Sequence, residues 1–191
     1  MARPREFDES EVLASARNAF WANGITNTSV HDLSEATGLS TGSIYKAFSS
    51  KEELSHRTLA DYAEQAQENV SALLESGDTP LAGLEAWLEA MAQNASDKSP
   101  TRGCYAVMCA TELAETDPWI RDRLRRLDKA QRGHVAQIIN NANNQGELNC
   151  DPKAGADFLA TTVNGLQVES RKGIGLDEAR SILALALNAL R

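Results

Sequence analysis

An all-α fold is predicted by three features of this 191-residue chain. Apolar residues recur at spacings of three and four from end to end. No segment alternates apolar and polar residues with the period of two that a strand needs. Compact start and stop signals, rather than long linkers, separate the helical stretches. About nine helices result, and a hydrophobic content of 42% is enough to bury a core in one or two domains.

Each element has its own signals. Asp8 is placed to cap the first helix, with Glu11 as its capping-box partner and Phe7 and Val12 as a hydrophobic staple. Val12, Ala16 and Phe20 form one apolar face, and Gly24 ends the helix. Ser29, with Asp32 three residues on, starts the second helix, whose Leu33 and Ala36 face inward. Gly38 interrupts it, Leu39 anchors the turn, and Ser40 caps a third short helix in which Ile44 and Phe48 point inward together. A long helix opens at Lys51-Glu-Glu-Leu and runs to about Ser76. Thr79 caps the next, with Pro80 at its first position, to about Ala95. After the loop from Ser96 to Gly103, helices run from Cys104 to about Glu115 and from Pro118 to about Asn143. Asp151-Pro152 repeats the cap-then-proline start of a helix to about Lys172, and the last helix spans Leu176 to Leu190. The chain divides into a small three-helix bundle over 1–50 and a larger helical unit over 51–191, joined by the long helix.

Composition excludes several classes of function. The net charge of -8 argues against indiscriminate nucleic-acid binding. The first 54 residues carry eight acids against five bases, but Ala36 to Lys51 contains no acid, and Arg3 and Arg5 precede the first helix as a basic tail. His31, His56 and His134 fall in no nucleophile, metal or acid–base motif, and no glycine-rich phosphate loop is present, so no enzyme, cofactor or metal site is expected. Three cysteines without metal-type spacing suit a reducing compartment. With neither a signal peptide nor a membrane-length apolar run, a cytoplasmic protein is expected.

The segment Ser29-Val-His-Asp-Leu-Ser-Glu-Ala-Thr-Gly-Leu-Ser-Thr-Gly-Ser-Ile-Tyr-Lys-Ala-Phe48 has the length and pattern of a helix-turn-helix. A second helix can enter a DNA major groove only if its outer residues are small and polar, as Thr41, Gly42 and Ser43 are. Ser40 and the free N–H groups beside it can receive a phosphate. Tyr45, Lys46 and Lys51 are placed to reach the flanking backbone. The same spacing fits a plain helical hairpin, or one that binds protein.

Gly24-Ile-Thr-Asn-Thr-Ser-Val-His-Asp-Leu-Ser-Glu-Ala-Thr-Gly-Leu-Ser-Thr-Gly-Ser-Ile-Tyr-Lys-Ala-Phe-Ser-Ser-Lys-Glu-Glu-Leu54 resembles the DNA-binding signature of the TetR family of repressors. Thr28-Ser29, Ala36, Gly38, Ser-x-Gly-Ser-Ile-Tyr, Phe48, Lys51 and Leu54 carry the match, which covers about a sixth of the chain. The resemblance implies an N-terminal DNA-binding bundle, a C-terminal ligand-binding and dimerisation domain, and a homodimer joined through the last two helices. It also implies phosphate contacts from Ser29, Tyr45 and Lys51, and base approaches from His31, Thr41, Gly42, Ser43 and Lys46. Ala47 departs from the pattern, standing where many members have histidine.

The expected activity is therefore repression from a palindromic double-stranded operator, with release by a small-molecule effector. The helix from Asp151 carries Ala156, Leu159, Val163 and Leu166, and the last carries Ile182, Leu183, Ala186 and Leu190; faces this broad call for a partner, in the same subunit or a second one. Candidates for the effector pocket are Trp87, Met91, Tyr105, Met108, Phe158, Thr162 and Gln167, with core packing as the alternative for each. Cys104, at a helix start just after Arg102-Gly103, is a candidate reactive thiol for sensing oxidants or electrophiles, or else a small buried hydrophobe.

Overall fold

The computed structural model describes residues 7–99 and 103–191. Arg3, Arg5 and Arg102, expected to act near the first helix and near Cys104, lie outside the described residues. The fold is all-α. Among the described residues the helices are α1 (Glu9–Asn23), α2 (Val30–Thr37), α3 (Thr41–Phe48), α4 (Lys51–Glu75), α5 (Pro80–Ser96), α6 (Tyr105–Leu113), α7 (Pro118–Asn144), α8 (Pro152–Glu169) and α9 (Leu176–Asn188). A 3-10 turn, Ser170–Lys172, extends α8.

The starts follow from local hydrogen bonding. Ser29 and Asp32 form a complete capping box, in which the Asp32 carboxylate receives both the Ser29 N–H and its hydroxyl at 2.8 Å. Those two bonds hold the Asp32 pKa below its ordinary value. Thr79 and Asp151 cap α5 and α8 by accepting the N–H groups of Ala82 and Ala154. At α1 the cap differs from expectation: Asp8 receives the Ser10 N–H at 2.8 Å and the Ser10 hydroxyl at 2.7 Å. The Asp8 carboxylate thus caps through Ser10, two residues on, rather than through a box with Glu11. Gly38 closes α2 in the left-handed region at φ 71, which a side chain would strain.

Two large apolar cores lie along α4, with a small cluster of Ala63, Ala106 and Leu127 beside them. Val12, Phe20, Leu33, Ile44 and Phe48 of α1 to α3 pack with Leu54 and Leu59 of α4, and Tyr105, Met108, Cys109 and Ile120 join them. The core of the N-terminal bundle thus extends into α6 and the start of α7. Val70 and Leu74, at the other end of α4, belong to a second core with Leu84, Trp87, Ile139, Leu159, Leu166 and Leu183. At the α4–α5 crossing a Cβ on Gly83 would stand 2.1 Å from the Leu74 carbonyl oxygen, so only glycine fits there.

Polar ties fix the bundle to α4. Arg17 Nη1 donates to Asp61 Oδ2 at 2.9 Å, and Arg57 pairs with Glu9 while its guanidinium lies 5.4 Å from the Phe48 ring centroid. Next to Arg57, His56 on α4 bonds the Asp117 carboxylate at 2.7 Å and stacks on Trp119 at 4.3 Å. Burial would raise the Asp117 pKa, but the bonds from His56, Ile120 N–H and Trp119 N–H outweigh it and lower it. Among the described residues no helix is long and apolar enough to cross a membrane.

Candidate nucleic-acid interface and effector cavity

The second helix of the helix-turn-helix, α3, presents an outer face free of acidic residues. Leu33, Ile44 and Phe48 are 0 to 1% exposed and lock α2 and α3 to the core, which leaves the opposite face to solvent. Ser40 accepts the Ser43 N–H at 3.2 Å, so its hydroxyl fixes the first turn of α3. Thr41, Gly42 and Lys46 are exposed, Tyr45 is 48% exposed, and Ser43 is half-buried behind them. His31 projects from α2, with its Nδ1 3.9 Å from Glu35. Ser29, Ser40, Thr41, Gly42, Tyr45 and Lys46 therefore lie at the surface of one helix pair, with Ser43 half-buried among them and His31 at its edge.

Lys51 is placed differently. Its ammonium donates to the carbonyls of Ile25 at 2.9 Å, Thr26 at 3.4 Å and Thr28 at 2.9 Å. The charge ties the α1–α2 loop to the start of α4 rather than reaching outward. Lys51→Met is expected to strip those carbonyls of their donor and destabilise the fold by roughly 1–3 kcal/mol, measured by denaturant unfolding. A purely DNA-contacting lysine would leave unfolding unchanged.

The second feature is a cavity of about 690 Å³ between α1, α4, α5, α7, α8 and the residues leading into α6. Its walls are Trp21, Tyr62, Val70, Leu73, Trp87, Met91 and Val163, with amides from Gln65, Asn69, Asn94, Gln131, Asn164 and Gln167. Gln167 is 4% exposed and its Nε2 donates to the Met91 carbonyl at 3.4 Å. Cys104 is the N-cap residue of α6, and its sulfur lies 3.3 Å from the Tyr62 hydroxyl. Burial, then the neighbouring Cys104, push the Tyr62 pKa well above its ordinary value, so that hydroxyl keeps its proton. Beyond Cys104 a smaller hollow of about 330 Å³ opens against Ala106, Val107, Leu124 and Leu127.

Of the expected pocket residues, Trp87, Met91, Cys104 and Gln167 line the cavity and Tyr105, Met108, Phe158 and Thr162 do not. Tyr105 and Met108 lie on the side of α6 that packs into the N-terminal core, and Tyr105 is fully buried with its hydroxyl 2.9 Å from Thr58 Oγ1. Phe158 is 46% exposed on the outer face of α8, where the Thr162 hydroxyl donates back to its carbonyl. The cavity side of α8 is the stripe of Val163, Asn164 and Gln167. Sequence reasoning missed Arg17 and Trp21, which line the cavity from α1. Their signal was a large aromatic one position off the Val12–Ala16–Phe20 stripe, with an arginine four residues before it.

The thiols Cys104, Cys109 and Cys150 are all free, and burial pushes Cys109 far up in pKa. Among the described residues two groups of metal-capable side chains, His31/Asp32/Glu35 and Glu52/His56/Asp117, each have their ligand atoms within 4.8 Å of one another. In these, Asp32 and Asp117 already serve as helix-capping groups.

An N-terminal helix-turn-helix with a bare polar reading face, carried on a hollow helical bundle, defines a DNA-binding transcriptional regulator. Residues 12–58 match the family described as bacterial regulatory proteins, tetR family, and residues 80–182 match the tetracyclin repressor-like C-terminal domain. The chain belongs to the TetR family. It is 27% identical over 188 residues to the HTH-type transcriptional repressor ComR of Escherichia coli, covering 97% of this chain and 90% of that one. The structure of the TetR family regulator CifR, a cysteine mutant bound to operator DNA, is similar at 27% identity and TM-score 0.80, covering 100% of both chains. A TetR family regulator from Agrobacterium tumefaciens shares the fold at TM-score 0.85 and 20% identity, over 95% of this chain and 96% of that one.

Proposed function

We propose that the chain is a repressor that binds a palindromic operator as a homodimer and leaves it when a small molecule fills the cavity. The observation that carries this reading is the α3 face of Thr41, Gly42, Tyr45 and Lys46, exposed and free of acids on an otherwise acidic chain. CifR, similar over its whole length, was solved on operator DNA, which supports the same use of this face. Residues 1–50 form the reading head, and 51–191 sense and dimerise. Phosphates would be held by Ser29, Tyr45 and the α3 N-terminus capped by Ser40; bases would be approached by His31, Thr41, Gly42, Ser43 and Lys46.

Phe158 and Val168 of α8 and Ile182 and Leu185 of α9 are the exposed large apolar residues of the last two helices, and they supply the dimer face. An isologous dimer presents two heads, so its operator is an inverted repeat. Release follows if an occupied cavity favours a head spacing that no longer fits both half-sites. Capture of the bound fragments from fragmented genomic DNA tests this reading. They should share one inverted repeat, and fragments without a common sequence would contradict it.

Cys104, on the cavity wall, supports a second trigger, in which oxidation or alkylation of the sulfur replaces the ligand. Cys104→Ser is expected to leave operator affinity unchanged. Under this second reading the variant stays on DNA when oxidant or electrophile is added, and release equal to that of the parent protein would eliminate it.

A further inference from the structure

Five buried side-chain nitrogen or oxygen atoms have no hydrogen-bond partner among the described residues, and four of them belong to residues lining the 690 Å³ cavity. They are Arg17 Nε, Trp21 Nε1, Trp87 Nε1 and Gln167 Oε1. Buried polar atoms are normally paired, so such a concentration in one hollow marks the place where a guest supplies the partners.

The four fall into two pairs. Arg17 and Trp21 stand four residues apart on one face of α1, and both lie against Tyr62. The Arg17 guanidinium is 5.9 Å from that ring centroid, and the indole meets the ring edge-on at 5.5 Å. Arg17 Nη1 is already committed to Asp61 and to Gln65 Oε1 at 3.1 Å, and the buried Nε–H is left without a partner. The second pair is Trp87 on α5 and Gln167, whose amide donates to the carbonyl of Met91 one turn along the same helix. The first pair offers two donors, and the second offers a donor and an acceptor. Between them the walls combine aromatic and aliphatic side chains with the amides of Asn69, Asn94 and Asn164.

We propose that this cavity takes a ring-containing small molecule whose acceptor oxygen, of a carboxylate or a carbonyl, receives the hydrogen bonds of Arg17 Nε and Trp21 Nε1. The inference rests on the reading of the cavity as the effector site and names what that site recognises. It also makes the ligand touch α1, a helix of the reading head itself. The Arg171 guanidinium donates to the Trp21 carbonyl at 3.0 Å, so this same turn of α1 is anchored to the end of α8. A guest that pulls on Arg17 and Trp21 acts on the head without an intervening helix.

The test is calorimetric titration of the full-length protein with 4-biphenylcarboxylate, its neutral amide and biphenyl. Trp21→Phe keeps the ring and removes the N–H, while Arg17→Lys keeps the charge and removes Nε–H. Each is expected to weaken the two oxygenated probes about ten-fold, as loss of one buried hydrogen bond does. Biphenyl should bind parent and variants alike, or none of them. No binding of either oxygenated probe to the parent, or unchanged affinity in both variants, overturns the assignment. Operator anisotropy with the same samples separates the two readings. Probes that bind in this N–H-dependent way without releasing DNA uphold the assignment and refute the effector role.

Discussion

Gly42→Glu is expected to lower specific operator affinity by about 100-fold or more (~2.7 kcal/mol) while the melting temperature stays unchanged or rises slightly. Gly42 lies in the first turn of α3, where a Cβ would meet only Ser40 Oγ at 4.0 Å, an ordinary contact. Its backbone is helical, and replacing glycine inside a helix removes a propensity penalty of about 1 kcal/mol. Nothing in the folded chain therefore opposes the substitution. In the proposed complex the same position faces the groove, and a carboxylate there would meet phosphate charge and base-edge acceptors with no compensating donor. Anisotropy and thermal melting on one preparation check both halves. Unaltered operator affinity would move the reading face away from α3.

Leu185→Glu should convert the proposed dimer to a monomer in light scattering and reduce operator affinity by about 100-fold or more. Leu185 is 72% exposed on α9, so a charge there costs the single chain almost nothing. Across a dimer face it would bury an unpaired carboxylate, which costs several kcal/mol, in a symmetric interface that meets the change twice. The loss on DNA follows because two linked heads bind far more tightly than either alone. A scattering mass that still equals two chains would place the interface elsewhere.

What could be read from sequence was mostly local. The Ser29–Asp32 box, the Ser40 cap, and the Thr79-Pro80 and Asp151-Pro152 starts depend on groups within three residues of one another. The polar outer face of α3 was legible for the same reason, since Ile44 and Phe48 define its opposite side. Lys51 was read as an outward cation because its partners lie 23 to 26 residues back along the chain. Periodicity showed that α6 and α8 carry apolar faces but not what each face meets. Met108 went to the core, Phe158 to the surface, and Val163 with Gln167 to the cavity. Arg17 and Trp21 became cavity residues only because α1 packs on α4 beside Tyr62, a juxtaposition that no spacing within α1 records.

The most direct measurement is a fluorescence-anisotropy titration of the full-length protein against an inverted-repeat fragment recovered from the genome, run beside a scrambled fragment at several salt concentrations. The expected result is binding of two chains per fragment, a clear preference for the repeat, and an affinity that falls steeply as salt displaces the phosphate contacts. Equal affinity for both fragments, or binding indifferent to salt, would contradict the assignment of α3 as a DNA-reading helix.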